Sequence, residues 1–233
     1  MFKRILIAFA SLAMLVGLAV PIGNGQAAAA PCADVHLLFA RGTQEAGAPV
    51  GTTGQAFGNS LRARFPGREV RVSPVHYQAS DDFHKGTDFL KTVAAGVRSA
   101  QNQMKYIART CPRAKIVLGG FSQGGVVAVY AVSDQVGPMS LVLREVPNVL
   151  PPSIASKVAG VITFGAPNDR WFNEVGAPPM RVGALYARKT RHFCIPGDNI
   201  CDGGPIDRPN TVHGNYSRNG MTGVASNFVA RFM

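Results

Sequence analysis

Short apolar runs bounded by turn residues recur along this chain, at residues 35–40, 70–75, 115–120 and 158–165, with a weaker one over about 183–193. They are rich in Val, Leu, Ile and Phe and lack the alternation of a half-exposed strand, so they predict strands buried on both faces. A second period lies between them. Phe89, Val93, Val97, Ala100, Met104 and Ile107 follow one another at steps of three or four, which predicts a long helix with a single apolar stripe. Shorter helices are predicted over about 53–65, 123–134 and 223–232. Strands alternating with helices give an α/β architecture, a central parallel sheet covered by helices on both faces. There is no internal repeat and no low-complexity linker, and the proline-rich stretch 147–152 fits a loop within one domain better than a boundary.

The first thirty residues follow another logic. Lys3 and Arg4 precede an uncharged run from Ile5 to Val20, then a Pro21-Ile22-Gly23-Asn24 break, Gln26 and four alanines. A basic start, an apolar centre and small residues make the pattern of a secretory signal peptide. The apolar centre is slightly long for a signal and slightly short for a membrane span of about 20 residues. Cleavage is the favoured reading and a retained anchor the alternative. Pro31 is a poor residue just after a cut, so cleavage is expected after Ala27, Ala28 or Ala29. Residues 31–233, about 203 in all, then form one domain with little room for a separate lid.

The chain carries 24 basic and 13 acidic residues, and about +9 remains once Lys3 and Arg4 are removed. Such a surface favours anionic lipid interfaces or acidic polymers through long-range attraction, and equally serves solubility. A nucleic-acid partner is not expected, because no basic-aromatic binding motif is present. All four cysteines, Cys32, Cys111, Cys194 and Cys201, lie beyond the signal, and an even count in an exported chain implies two disulfides with three pairings open. Cys194–Cys201 is favoured because it closes a small local ring, which leaves Cys32–Cys111, each member just ahead of an apolar run. A metal site is not expected, for there is no C-x-x-C spacing and no histidine at ligand distance.

The segment Lys115-Ile116-Val117-Leu118-Gly119-Gly120-Phe121-Ser122-Gln123-Gly124-Gly125 is the most informative. A buried strand runs straight into G-x-S-x-G, and an apolar helix follows at once, the context in which this motif presents a nucleophilic serine on a strained turn. Glycines two residues either side of Ser122 allow strand and helix backbones to approach closely. Gln123 opens the helix, so its N–H points toward a developing oxyanion.

Serine needs an adjacent base, and in this fold class the chain order is nucleophile, acid, histidine. Of the five histidines only His192 and His213 follow Ser122, and His213 sits in a loop ahead of the last helix. His192 falls in or beside the last strand, where a packed residue is the ordinary outcome. Asp169, Asp198, Asp202 and Asp207 are all open as the acid. Asp198 stands out only because it lies within the Cys194–Cys201 segment, on a turn marked by Pro196-Gly197.

At this point the chain resembles the cutinase family. The resemblance rests on a cysteine before the first strand, the turn Ala40-Arg41-Gly42-Thr43, the elbow Gly120-Phe121-Ser122-Gln123-Gly124-Gly125, the ring Cys194-Ile195-Pro196-Gly197-Asp198-Asn199-Ile200-Cys201, and the histidine loop ending in His213. It covers the chain from Cys32 to the final helix and is closest to bacterial cutinase-like serine esterases. It implies a compact α/β-hydrolase fold with a five-stranded central parallel sheet and no large lid. It also implies Ser122, Asp198 and His213 as the triad, an oxyanion hole at the backbone N–H groups of Thr43 and Gln123 with the Thr43 hydroxyl assisting, and the disulfides Cys32–Cys111 and Cys194–Cys201. No cofactor is implied. The expected function is hydrolysis of short- to medium-chain acyl esters by a secreted monomer, with lipid, polyester or cell-envelope substrates open. Ile206, Val212 and the loop 75–89 are candidates for the acyl groove. A transacylase or phospholipase acting on envelope lipids is the rival within enzymes, and a lipid-binding module on a hydrolase scaffold the rival outside them.

Overall fold

The computed structural model describes residues 32–81, 87–134, 149–174, 177–204 and 208–233, with the backbone alone for residues 87–89. The signal-like segment, Ile206, Asp207, the middle of the loop 75–89 and the start of the proline-rich stretch lie outside the described residues.

Each strongly apolar run forms a strand. They are β1 (Val35–Ala40), β2 (Val70–Pro74), β3 (Lys115–Phe121) and β4 (Val158–Phe164), and a short β5 (Thr190–Phe193) follows. All pair in parallel in the order β2-β1-β3-β4-β5. Every residue of β1 and β4 is buried, as is β3 after its first residue, so contiguous apolar sequence here reports a sheet covered on both sides.

The weak fifth run is the exception. Only its last four residues form a strand, and Ala187–Lys189 before it is a 3₁₀ turn. A strand at this edge has a partner on one side only, and the apolar look upstream comes from Tyr186, whose side chain is buried in the core rather than in the sheet.

Helices α1 (Thr52–Arg64), α2 (Thr87–Thr110), α3 (Gln123–Ala131), α4 (Pro152–Ala155), α5 (Asp169–Glu174) and α6 (Met221–Val229) complete the chain. The expected stripe on α2 packs through Val93, Val97, Ala100, Met104 and Ile107 against α3 and one face of the sheet. Phe57 and Leu61 of α1 join Ala225 and Val229 of α6 on the other face. Among the described residues no helix is long and apolar enough to cross a membrane.

Both disulfides are formed, Cys32–Cys111 and Cys194–Cys201. The first ties together the chain just before β1 and the end of α2, where the sequence turns into β3.

Candidate active site

The sheet order places a switch point between β1 and β3, because the chain leaves β1 toward β2 on one side and returns to β3 on the other. Open α/β sheets bind ligands outside the carboxyl ends of strands at such a point. Thr43 lies three residues past the end of β1 and Ser122 directly follows β3. The topology therefore sets the two beside each other.

Ser122 has φ 53° and ψ −121°, a positive φ that a non-glycine residue rarely adopts. Its N–H donates to Phe164 O at 2.8 Å, which pins the bend against the end of β4. The bend is tight because glycines flank it. A Cβ on Gly120 would lie 2.0 Å from Gly124 O, and one on Gly124 would lie 1.9 Å from Ala40 O. The Ser122 side chain does not cap α3. The N–H groups of Gln123 and Gly124 open that helix, where backbone donors have no carbonyl of their own helix to bond.

Around this turn the loop after β1 is held by side chains. The Thr43 hydroxyl donates to Gln123 Oε1 at 3.2 Å, and Gln123 Nε2 reaches Ser80 O at 3.4 Å. The hydroxyl proton of Thr43 is thus engaged by Gln123 in this structure, rather than free to assist an anion as the resemblance implied. Glu45, which the sequence reading did not single out, bridges two elements. Its Oε2 accepts the Gly42 N–H at 2.9 Å, and its Oε1 accepts the Thr53 N–H at 2.8 Å in the first turn of α1. Gly51 at the start of that helix has no side chain to cap it, so the carboxylate supplies the cap from outside.

The acid and the histidine come from beyond β5. Asp198 is fully buried, and His213 Nδ1 lies 2.9 Å from each of its carboxylate oxygens. The Ile200 N–H donates to Oδ1 at 3.0 Å and the Tyr216 hydroxyl to Oδ2 at 2.6 Å. Burial alone pushes the Asp198 carboxyl up, yet the hydrogen bonds from His213, Tyr216 and Ile200 outweigh it and hold the group below the usual carboxylate range. An ionised carboxylate only accepts, so His213 Nδ1 must carry the proton of this bond. In the neutral ring the lone pair is then on Nε2.

That nitrogen is buried and has no hydrogen-bond partner, so the bond from Ser122 that a triad requires is not closed in this structure. The His213 ring nevertheless lies against Phe121, the residue just before Ser122, with centroids 4.8 Å apart. Catalytic hydrogen bonds are often long before substrate is bound.

The histidine loop is laced to the disulfide ring. Asn210 accepts the His213 N–H and donates through Nδ2 to Gly197 O at 2.8 Å, while its own N–H donates to Asn199 Oδ1 at 2.9 Å. Gly165, just past β4, lets the sheet approach this group closely. A Cβ there would lie 2.7 Å from Tyr216 Cε2, 3.0 Å from His213 Cε1 and 3.1 Å from Asp198 Oδ2.

The other acid candidates are placed elsewhere. Asp202 accepts the Gly197 N–H at 2.6 Å, and Asp169 begins α5. His192 stands in β5 and bonds the Thr163 hydroxyl at 2.8 Å. Val212 is partly buried in the histidine turn, one residue before His213. Among the described residues no group of three or more His, Cys, Asp or Glu is arranged to hold a metal ion.

The chain is similar to several known proteins. The family model described as Cutinase matches residues 31–233. Culp7 of Mycobacterium tuberculosis, named a probable carboxylesterase, is 41% identical over 165 residues, which cover 70% of this chain and 84% of that protein. The carboxylesterase Culp1 of Mycobacterium bovis is 34% identical over 212 residues, 90% of this chain and 86% of the relative. Among solved structures, a Trichoderma reesei cutinase in complex with a phosphonate inhibitor superposes with a TM-score of 0.64 at 32% identity, covering 87% of this chain and 77% of that one. The catalytic core of an acetyl xylan esterase from Trichoderma reesei shares the fold, with a TM-score of 0.68 at 21% identity over 87% of this chain and all of that one.

Proposed function

This chain belongs to the cutinase family, and from that premise we propose that it is an exported serine esterase working through Ser122, His213 and Asp198. That it is a carboxylic ester hydrolase follows from relatives that are themselves named carboxylesterases and cutinase. The finer reading is carried by one observation. A buried carboxylate fixes the imidazole through Nδ1 and leaves Nε2 without a partner, and the ring lies against Phe121, the residue before a serine held on a strained bend.

In this mechanism Ser122 Oγ attacks the ester carbonyl while His213 Nε2 takes its proton. Asp198 stabilises the imidazolium and keeps the ring oriented. The tetrahedral oxyanion is held by the N–H groups of Thr43 and Gln123, fixed in advance by the loop after β1 and by the start of α3. As the carbon–oxygen bond breaks, the alcohol leaves with the proton from His213. Water then repeats the sequence on the acyl-enzyme, releasing the acid and free Ser122.

Short- to medium-chain acyl esters, including those of lipids or polyesters, are the proposed substrates. Export is supported by the signal-like first thirty residues and by two disulfides, which persist in oxidising compartments.

The test expresses the full chain and assays the culture fluid with p-nitrophenyl esters of graded length and a phospholipid. Ester hydrolysis is expected in the fluid, with covalent labelling by a fluorophosphonate probe, and both should vanish in Ser122→Ala. Hydrolysis that survives in Ser122→Ala would overturn the mechanism, and activity retained wholly in the cells would overturn the export.

A further inference from the structure

Tyr216 lies three residues past His213 and is completely buried among Phe121, Phe164 and the His213 ring. A phenol in such a place needs partners for its oxygen, and this one has an acceptor and a donor, with the disulfide sulfur of Cys201 also 3.3 Å away. It donates to Asp198 Oδ2 at 2.6 Å and accepts the Ile195 N–H at 3.0 Å. Ile195 leaves β5, so the tyrosine joins the end of the sheet to the carboxylate that orients the base. Oδ1 is fixed independently by the Ile200 N–H. Besides its bonds to His213 the carboxylate therefore has an outside donor at each oxygen, and of these two only Tyr216 can be altered by changing a side chain.

We propose that Tyr216 is a positioning residue of the acyl-transfer reaction, one that sets the orientation of Asp198 and limits how strongly Asp198 holds the proton of His213. The inference rests on the triad reading above. Its physical basis is charge sharing. Each hydrogen bond donated to a carboxylate draws negative charge away from its other partners, and bonds to an ionised group are the strong ones. Without the phenol, Asp198 turns more of its charge toward His213 and favours the imidazolium. The ring then gives up its proton less readily and is free as a base only at higher pH. The carboxylate also loses one of its two anchors, so the imidazole wanders from its working orientation.

The phenol stays a donor across any practical assay range, since burial and the neighbouring Asp198 raise its pKa well above the ordinary tyrosine value. Among the described charged groups, Asp202, whose charge adds to that of Asp198 on the phenol, accepts the Gly197 N–H, and Arg218, two residues on, bonds Asn215 Oδ1. Neither side chain bonds the Asp198 carboxylate or the His213 ring.

The experiment is a pH profile of kcat and KM for p-nitrophenyl butyrate, per active site titrated with a fluorophosphonate, in wild type and Tyr216→Phe. In the variant we expect kcat per titrated site to fall about tenfold with KM nearly unchanged. The acid limb of kcat/KM should move to higher pH. A residue that merely filled space would lower the number of titratable sites and leave the limb where it was. Should Tyr216→Phe not fold, 3-fluorotyrosine at position 216 keeps ring and hydroxyl while making a stronger donor, and the acid limb should then move to lower pH. An unmoved limb in both proteins, with kcat per site within about twofold of wild type, overturns the proposal while Ser122 dependence stands. Loss of Ser122 dependence would instead overturn the triad reading.

Discussion

Gly124 is the position at which the structure makes its sharpest quantitative demand. It lies inside α3, where alanine is the best helix former and should stabilise by about 1 kcal/mol relative to glycine. Propensity alone therefore recommends Gly124→Ala. The tertiary structure forbids it, since the new Cβ would sit 1.9 Å from Ala40 O and 2.5 Å from Ala40 C, both backbone atoms at the end of β1. Ordinary contact begins at 3.4 Å, so β1 and α3 must separate by about 1.5 Å before the methyl fits. Overpacking of this kind costs about 1–3 kcal/mol, which offsets the propensity gain and leaves a net loss of up to about 2 kcal/mol. In a domain of this size that is a fall of up to roughly 4–8 °C in Tm.

The catalytic cost is larger, because the forced separation runs between the turn that carries Thr43 and the turn that carries Ser122. A misplacement of about 1 Å can cost about a hundredfold in rate, and at least that loss in kcat/KM is expected. The assay is p-nitrophenyl butyrate hydrolysis alongside a thermal melt, with Gly223→Ala as the control. Gly223 lies in α6 with nothing within 4 Å of its would-be Cβ, so that variant should keep wild-type activity and melt no lower than wild type. A Gly124→Ala protein with wild-type kcat/KM and Tm would show that the close approach is not a working constraint.

Two further outcomes follow from groups described above. Glu45→Ala frees both the Gly42 N–H and the Thr53 N–H; kcat should fall about tenfold with KM little changed, and stability by about 1 kcal/mol from the lost cap, and an unchanged kcat would separate Glu45 from the oxyanion loop. His36 in β1 is buried with its Nε2 unpartnered, and burial together with the Arg71 guanidinium holds it below the ordinary histidine value against the weaker pull of Glu69. The unfolded chain therefore binds a proton that the native state resists. Stability should drop as pH falls below about 6.5 and level off once pH passes the depressed native value. His36→Gln should flatten Tm measured from pH 7.5 to 5, and an unaltered slope would remove His36 as a source of acid sensitivity.

What the sequence made legible was what local pattern encodes. Four strands stand within a residue or so of their expected places; β1, β3 and β4 are buried on both faces and appear as unbroken apolar runs, whereas β2, at one edge of the sheet, is only partly buried after Val70, against the expectation. The fifth is shorter than expected because Arg191 and His192 are exposed at the other edge and Tyr186, upstream, is buried in the core outside the sheet. Ser122 was visible through its glycines, and the pair Asp198 and His213 through the cysteines and the chain order. Tyr216 and Glu45 were not, since their importance lies in bonds to partners remote in sequence or made only after a loop has folded. Each left a faint trace all the same. Tyr216 follows His213 by three residues, at the end of the 3₁₀ turn that carries it, and Glu45 is a lone acid ahead of a helix whose first residues offer no cap.

The stitching of Asn199 and Asn210 across the Cys194–Cys201 ring has a mechanical consequence. In the proposed mechanism base and acid share one cross-linked block beyond β5, whereas Ser122, Thr43 and Gln123 belong to the ends of the strands and the start of α3. A displacement of that block as a unit would carry His213 and Asp198 together and bring the imidazole toward Ser122 Oγ without breaking its bond to the carboxylate. The reach of Nε2 is then a single adjustable length, governed by the short segment leaving β5 and by the clearance that Gly165 leaves beneath it.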